Sequence, residues 1–362
     1  MSKKSTEQNA QEFLQKYLNN ASPTGFEWSG QQIWLEYLKP YIDDYYVDAY
    51  GSVVGIINPK ADYKVIIEAH SDEISWFVNF ITESGYIYVR RNGGSDPVIA
   101  PSMRVNIQGK KGTVKGIFGW PAIHVRHEKE RDPMPDLKNI YIDIGCSSKQ
   151  EVLEKGVDIG SVVTFVDEMF ELNDKYYVGR ALDNRIGGYM IAQVARKLKE
   201  SKIKLPFGLY IANCVQEEIG LRGAEMVANA IKPNLAIITD VCHDTQAPLY
   251  NKIIDGDFTA GKGPVLTFGP AVQNNVLKML FEVAENKNIA YQRAAVSRST
   301  GTDTDSFAYS NSGVPSALVS LALKYMHTTV EMVHKEDVEN IINLMYEFLV
   351  QLKNGQDFRY FK

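Results

Sequence analysis

Several apolar runs in this 362-residue chain end in side chains able to hold a metal ion. VIIEAH, residues 65–70, has the pattern of a buried strand and finishes in His70, with Asp72 and Glu73 just beyond it. LYIANCV runs into Gln216-Glu217-Glu218, LAIITD ends in Asp240, and LVSLALKYM runs into His327. Two histidines and several carboxylates with no thiolate suit zinc, or a harder divalent ion such as cobalt or manganese. A site with more carboxylates than one ion requires can hold two ions that share a bridging carboxylate and a water. Asp183, at the opening of a helical pattern, is the natural bridge. Successive side chains at a strand end face opposite ways, so one member of the Glu217-Glu218 pair can bind metal while the other serves as general base. Asp72 is placed to accept the second ring N–H of His70 and so fix its tautomer.

Taken singly, each residue has a plainer reading, since a lone histidine at a strand end is usually a hydrogen-bonded structural residue and a lone aspartate a helix cap. Their joint occurrence at equivalent strand ends argues otherwise, because buried carboxylates without a cation are costly. His124 and His127 lie in a charged, proline-flanked segment, His334 opens a charged helix and His243 follows Asp240 closely; all four read as non-ligands.

The elements that must position these residues form an α/β pattern. Two amphipathic helices precede a hairpin about Tyr50 and Gly51, which leads into the strand ending at His70. After Gly179, strands and helices alternate, the signature of a mainly parallel sheet flanked by helices. In such sheets ligands bind beyond the carboxyl ends of the strands, which gives distant residues a common meeting place. Between these parts, short β runs alternate with Gly, Asn, Asp and Pro, and SSKQEVLEKG is the one helix expected among them. The expected division is a catalytic domain of residues 1–73 and 178–362, with a small β-rich domain inserted at 74–177.

The chain is 44% hydrophobic and 23% charged with a formal net charge of -5, and its charges are mixed along the sequence, which speaks against a nucleic-acid or anionic-membrane surface. No run reaches the length of a membrane span and the N-terminus lacks a secretory apolar core, so a cytoplasmic protein is expected. Three cysteines without C-x-x-C spacing argue against both a disulfide framework and a thiolate metal cage.

His70-Ser71-Asp72-Glu73, Arg180 to Arg185 (RALDNR), Gln216-Glu217-Glu218, Thr239-Asp240, Gly301-Thr302-Asp303 and Tyr325-Met326-His327 together resemble the successive motifs of the M42 metallo-aminopeptidases. Nearly the whole chain takes part. NIYIDIGCSSKQEVLEKGVDIGSVVTF is similar to part of that family's lid or dimerisation domain. Ser75 departs from the pattern, standing where glycine commonly follows. The resemblance implies a zinc-exopeptidase-like fold and two divalent ions, zinc or else cobalt or manganese. It places one ion on His70, Asp183 and Asp240 and the other on Asp183, Glu218 and His327. Glu217 becomes the general base and Asp72 the partner of His70. Peptides would be the substrates, and the assembly a homo-oligomer of dimers, a dodecamer. Lys262, Arg293 and Arg298 would favour N-terminal Glu or Asp if they reach the specificity pocket. The rival expectations are a related two-metal amidohydrolase or carboxypeptidase, and a non-catalytic scaffold stabilised by metal. Glu217, which no structural metal needs, stands against the scaffold.

Overall fold

In the computed structural model, which describes residues 3–126 and 134–361, the apolar runs become the middle of an 11-stranded sheet. Strands β1 (Asp44–Val47), β2 (Val53–Ile57) and β3 (Lys64–His70) lead into it. The chain then leaves to build a closed barrel from β4 (Ser75–Ile81), β5 (Ile87–Asn92), β6 (Arg104–Gly109), β7 (Gly112–Gly119), β8 (Tyr141–Asp143) and β9 (Val162–Phe165). It returns through β10 (Phe170–Leu172), β11 (Tyr176–Gly179), β12 (Gly208–Cys214), β13 (Leu235–His243), β14 (Val265–Phe268), β15 (Gln292–Ala295), β16 (Ser316–Lys324) and β17 (Glu331–His334). The order across the large sheet is β1-β2-β12-β3-β13-β16-β17-β11-β10, with β14 on β16 and β15 on β14.

The expected parallel sheet is parallel at its centre and mixed overall. β12, β3, β13 and β16 run parallel. The outer hairpins β1–β2 and β10–β11, and the pairings β2–β12, β16–β17 and β11–β17, are antiparallel. The tight β1–β2 and β10–β11 connections permit only antiparallel pairing, whereas the central strands are separated by helical crossovers. The β10–β11 hairpin lies inside the segment expected to form the inserted domain, yet it pairs with β17 of the large sheet, and the barrel strands stop at Phe165.

The central strands are buried along nearly their whole length, which is why they read as unbroken apolar runs rather than alternating ones. The helices are α1 (Lys3–Asn19), α2 (Trp28–Leu38), α3 (Lys149–Glu154), α4 (Leu182–Glu200), α5 (Arg222–Ile231), α6 (Lys252–Asp255), α7 (Asn274–Asn286), α8 (Asp303–Ala308) and α9 (Lys335–Gln351). α4 packs on the Ala69 side of β3, leaving Glu68 and His70 to face the opposite side. Trp34 donates its indole N–H to the Gly188 carbonyl at 2.7 Å, which ties α2 to α4. The barrel has a core of its own around Trp76 and Phe118, whose rings meet edge to face at 5.8 Å. Among the described residues the three cysteines are free, and no helix is long and apolar enough to cross a membrane.

Candidate metal centre and active site

β3 delivers His70 to the sheet edge level with Cys214 of β12, and β13 delivers Asp240 beside Ser320 of β16. Asp183 and Asn184 open α4 with non-helical backbone angles, which turns the aspartate toward the same edge. The resulting cluster is tight. His70 Nε2 lies 3.2 Å from Asp183 Oδ1, 3.8 Å from Asp240 Oδ1 and 3.9 Å from Glu217 Oε2. His327 Nε2 lies 3.3 Å from Asp183 Oδ2 and 3.5 Å from Glu218 Oε1. Asp183 therefore turns one oxygen to each histidine. All five expected ligands and Glu217 are brought together from five separate parts of the chain.

One expected detail differs. Glu217 and Glu218 do not end a strand but occupy a short 3-10 turn, Glu217–Ile219, entered through Gln216 in the left-handed region. The turn is fixed by Asp72, whose two carboxylate oxygens accept the backbone N–H groups of Glu217 at 3.0 Å and Glu218 at 3.2 Å. Asp72 also lies 3.4 Å from His70 Nδ1 and accepts from the Thr24 hydroxyl at 2.9 Å. It thus reaches both the histidine and the tandem glutamates. Ala181, Gln216, Tyr325 and His327, all at or beside expected ligands, have positive φ. Each such residue costs about 1–2 kcal/mol, a local strain tolerated at functional sites.

The electrostatics describe a pocket with too much negative charge. Burial pushes the Glu217 carboxyl up to about 10, with Asp240, Asp303 and Glu218 adding repulsion that His70 only partly offsets. Burial, reinforced by Asp183 and Asp303, likewise raises Asp240 well above the carboxylate range. Burial also acts to raise Asp183, but the two histidines outweigh it and hold Asp183 well below that range. Burial opposes the charged ring of His327, yet Asp183 and Glu218 hold it at about 11. Four mostly buried acids facing two imidazoles fit divalent cations, which would replace the protons these shifts require. His70, Asp183 and Glu218 each offer a donor atom, all within 4.8 Å of one another.

Three features were not singled out in the sequence. Glu331 is buried and accepts the backbone N–H of Asp183 at 3.0 Å and of His327 at 2.8 Å, so one carboxylate sets the position of two ligands. Gly93 and Gly94, in the loop after β5, let the barrel approach the cluster: a Cβ on Gly94 would lie 2.6 Å from His327 Nδ1. Glu68, Cys214 and Asp303 form a second group of donor atoms within 4.8 Å, all three residues buried. The carboxylate oxygens of Glu68 and Asp303 have no hydrogen-bond partner apart from a proton the two acids could share and the Cys214 thiol, which donates to Glu68. The available signal for Glu68 and Glu331 was an acid within a short apolar β run.

The remaining histidines stay apart from the ligand cluster. His124 is exposed, His334 caps α9, and His243 lines the neighbouring cavity with Nδ1 3.4 Å from the Tyr250 hydroxyl. His127 lies outside the described residues. That cavity, about 560 Å³, opens beside Asp183, Glu217, Glu218, Asp240 and His327. Lys262, Arg293 and Arg298 are not among its lining residues. Arg293 instead stacks on Phe281, 4.5 Å from the ring centre.

A mixed α/β sheet bearing a carboxylate–histidine cluster at its strand ends, with a barrel set beside it, defines a class of peptide hydrolase. The model of the M42 glutamyl aminopeptidase family matches residues 51–344, and the chain belongs to that family; it is a metallo-aminopeptidase. It is 33% identical over 344 residues to a lysyl aminopeptidase of Pyrococcus furiosus, covering 94% of this chain and 97% of that protein. Among solved structures it is similar to a TET aminopeptidase from Thaumarchaeota archaeon SCGC AB-539-E09, with a TM-score of 0.91, 27% identity, and coverage of 96% and 97%. It is also similar to the Pyrococcus horikoshii TET1 peptidase, with a TM-score of 0.82, 27% identity, and coverage of 95% and 100%.

Proposed function

We propose that the protein is a dinuclear aminopeptidase that removes residues from the free N-terminus of peptides. His70, Asp183 and Asp240 would hold one divalent ion, and Asp183, Glu218 and His327 the other, with zinc favoured and cobalt or manganese also suited to the donor set. The observation that carries this reading is Asp183, whose two oxygens address different histidines at 3.2 and 3.3 Å. Such ions supply the Lewis acidity that activates water and polarises the peptide carbonyl. Glu217, 12% exposed and pointing into the cavity, is the proton carrier: it takes a proton from the attacking water and returns it to the departing amine. Asp72 positions His70 and the Glu217 backbone.

The Pyrococcus horikoshii relative is described as assembling into a tetrahedron or a large octahedral shell. By analogy this chain forms a homo-oligomer, with the barrel as a lid or dimerisation unit and a dodecamer as the expected size. Relatives are named for lysine and for glutamate, so membership of the family leaves the preferred N-terminal residue open. The protein would work in the cytoplasm.

The test is metal and activity measured together. Chelation should abolish hydrolysis of unblocked aminoacyl chromogenic substrates, and zinc, cobalt or manganese should restore it. Substrates with an acetylated amino end should stay intact, which separates an aminopeptidase from a carboxypeptidase or amidohydrolase. Glu217→Gln should keep its metal and lose roughly a hundredfold or more in kcat, whereas Glu218→Gln should lose metal. Full activity in verified metal-free protein, or the reverse outcome for the two glutamates, overturns the assignment.

A further inference from the structure

We infer that the 560 Å³ cavity beside the acid cluster receives the first side chain of the peptide and selects a neutral aliphatic one, leucine or methionine, over acidic and basic ones. This rests on the aminopeptidase reading and adds the substrate class. The cavity has two unlike ends. At one end stand the acids and His327, the end suited to the peptide's ammonium group and scissile bond. The sheet then changes character within one step. Asp240 is in register with Ser320, and Leu318 follows on the same face of β16, with Thr267 on the neighbouring β14. Ala294 of β15, in register with Thr267, continues that row, and Val296 just beyond the strand also lines the cavity.

This far end carries no Lys or Arg among the described residues. A glutamate side chain entering it would give up water and meet no Lys or Arg, His243 being the one imidazole among the described lining residues outside the ligand cluster, and it would stand close to the acids of that cluster. A lysine side chain would find no carboxylate there that is free of the candidate metal site. Neutral aliphatic groups lose nothing by this transfer and gain from removal of their surface from water. Met326, also on the lining, supplies a flexible thioether able to adjust to different aliphatic shapes.

The experiment uses the metal-loaded protein and a panel of aminoacyl p-nitroanilides. The kcat/KM for Leu and Met should exceed that for Glu, Asp, Lys and Arg by at least tenfold, the scale on which pocket contacts discriminate. Ala294→Arg should shift the Glu-to-Leu ratio by tenfold or more toward Glu. Ala295→Arg, at an exposed position on the rim of the same cavity, is the second variant if the first does not fold. Inhibition by leucine, glutamate and lysine hydroxamates gives the same order without turnover. Highest specificity for an acidic or basic residue, or hydroxamates ranked that way, overturns the inference. If no unblocked substrate is cleaved, the aminopeptidase reading fails, and the hydroxamate order still decides the pocket's preference.

Discussion

Glu68 shows how far the environment of a single residue can depart from its ordinary chemistry. It lies on β3 two positions before His70, is wholly buried, and faces Asp303 and Cys214. Burial pushes its pKa from 4.5 up to about 8, although the hydrogen bond from Asp303 and the nearby charge of His70 act in the other direction. Burial and the Glu68 carboxyl raise Asp303 well above the carboxylate range as well. At neutral pH the pair is therefore held by at least one proton. A folded-state pKa above the unfolded value means that the folded state binds the proton more tightly. The associated stability is fully present below about pH 4.5 and is lost as pH rises through about 8. Glu68→Gln keeps the shape and a donor but cannot ionise. At saturating metal it should lose less stability than the wild type between pH 5 and pH 9 in urea titrations. Parallel profiles for the two proteins would mean that Glu68 does not carry this proton. The acid inside VIIEAH was visible in the sequence, but its partner Asp303 is 235 positions away. Nothing in local spacing could pair them.

The loop after β5 joins the barrel to the catalytic edge. A Cβ on Gly94 would meet His327 at 2.6 Å from Nδ1 and 2.7 Å from Cε1, and one on Gly93 would meet the Glu218 Cβ at 3.2 Å. Gly94→Ala should move the His327 ring away from Asp183 and Glu218. The variant should hold metal about 10–100-fold more weakly, the usual cost of disturbing a ligand's support, while its circular dichroism stays native. Unchanged metal content and activity would show that the ring moves aside freely. Legibility in the sequence follows the same division. His70, Asp240 and His327 were readable because long apolar runs of the sequence lead into them, and Glu217-Glu218 because adjacent acids rarely serve packing. The 3-10 geometry of Glu217 was hidden, since it is imposed by Asp72 from the loop after β3. The mixed sense of the sheet was hidden too. Strand patterns fix which residues are buried, whereas the direction of the outer strands depends on pairings such as β11 with β17, more than 150 residues apart. Nothing in the sequence marks Gly94, and only the packed barrel makes it a neighbour of a ligand.

The molecule leaves apolar side chains in water that one folded chain has no use for. Leu249, Ile253 and Ile254, in and just before α6, are 104%, 95% and 79% exposed, and Ile123 and Val125 next to the barrel are 59% and 67% exposed. Adjacent bulky aliphatics at such exposure mark contact surfaces rather than scattered surface residues. A closed assembly built from two-fold dimers needs a second kind of contact, because a single two-fold interface ends at a dimer. On the proposed homo-oligomer, the α6 segment and the barrel are candidates for different contacts. Ile253→Glu with Ile254→Glu places two charges on the first surface and leaves the second intact. Light scattering and sedimentation should then show the large particle replaced by a smaller one that is still larger than a monomer, with circular dichroism unchanged. The isolated small particle should keep its kcat on aminoacyl chromogenic substrates, since neither isoleucine lines the cavity or the ligand cluster. It should also gain the ability to trim the exposed N-terminus of a folded protein, which a closed shell would exclude by size. A variant with the wild-type particle mass would remove α6 from the interface. A fully active wild-type monomer would overturn the enclosed assembly while leaving the chemistry of the cluster intact.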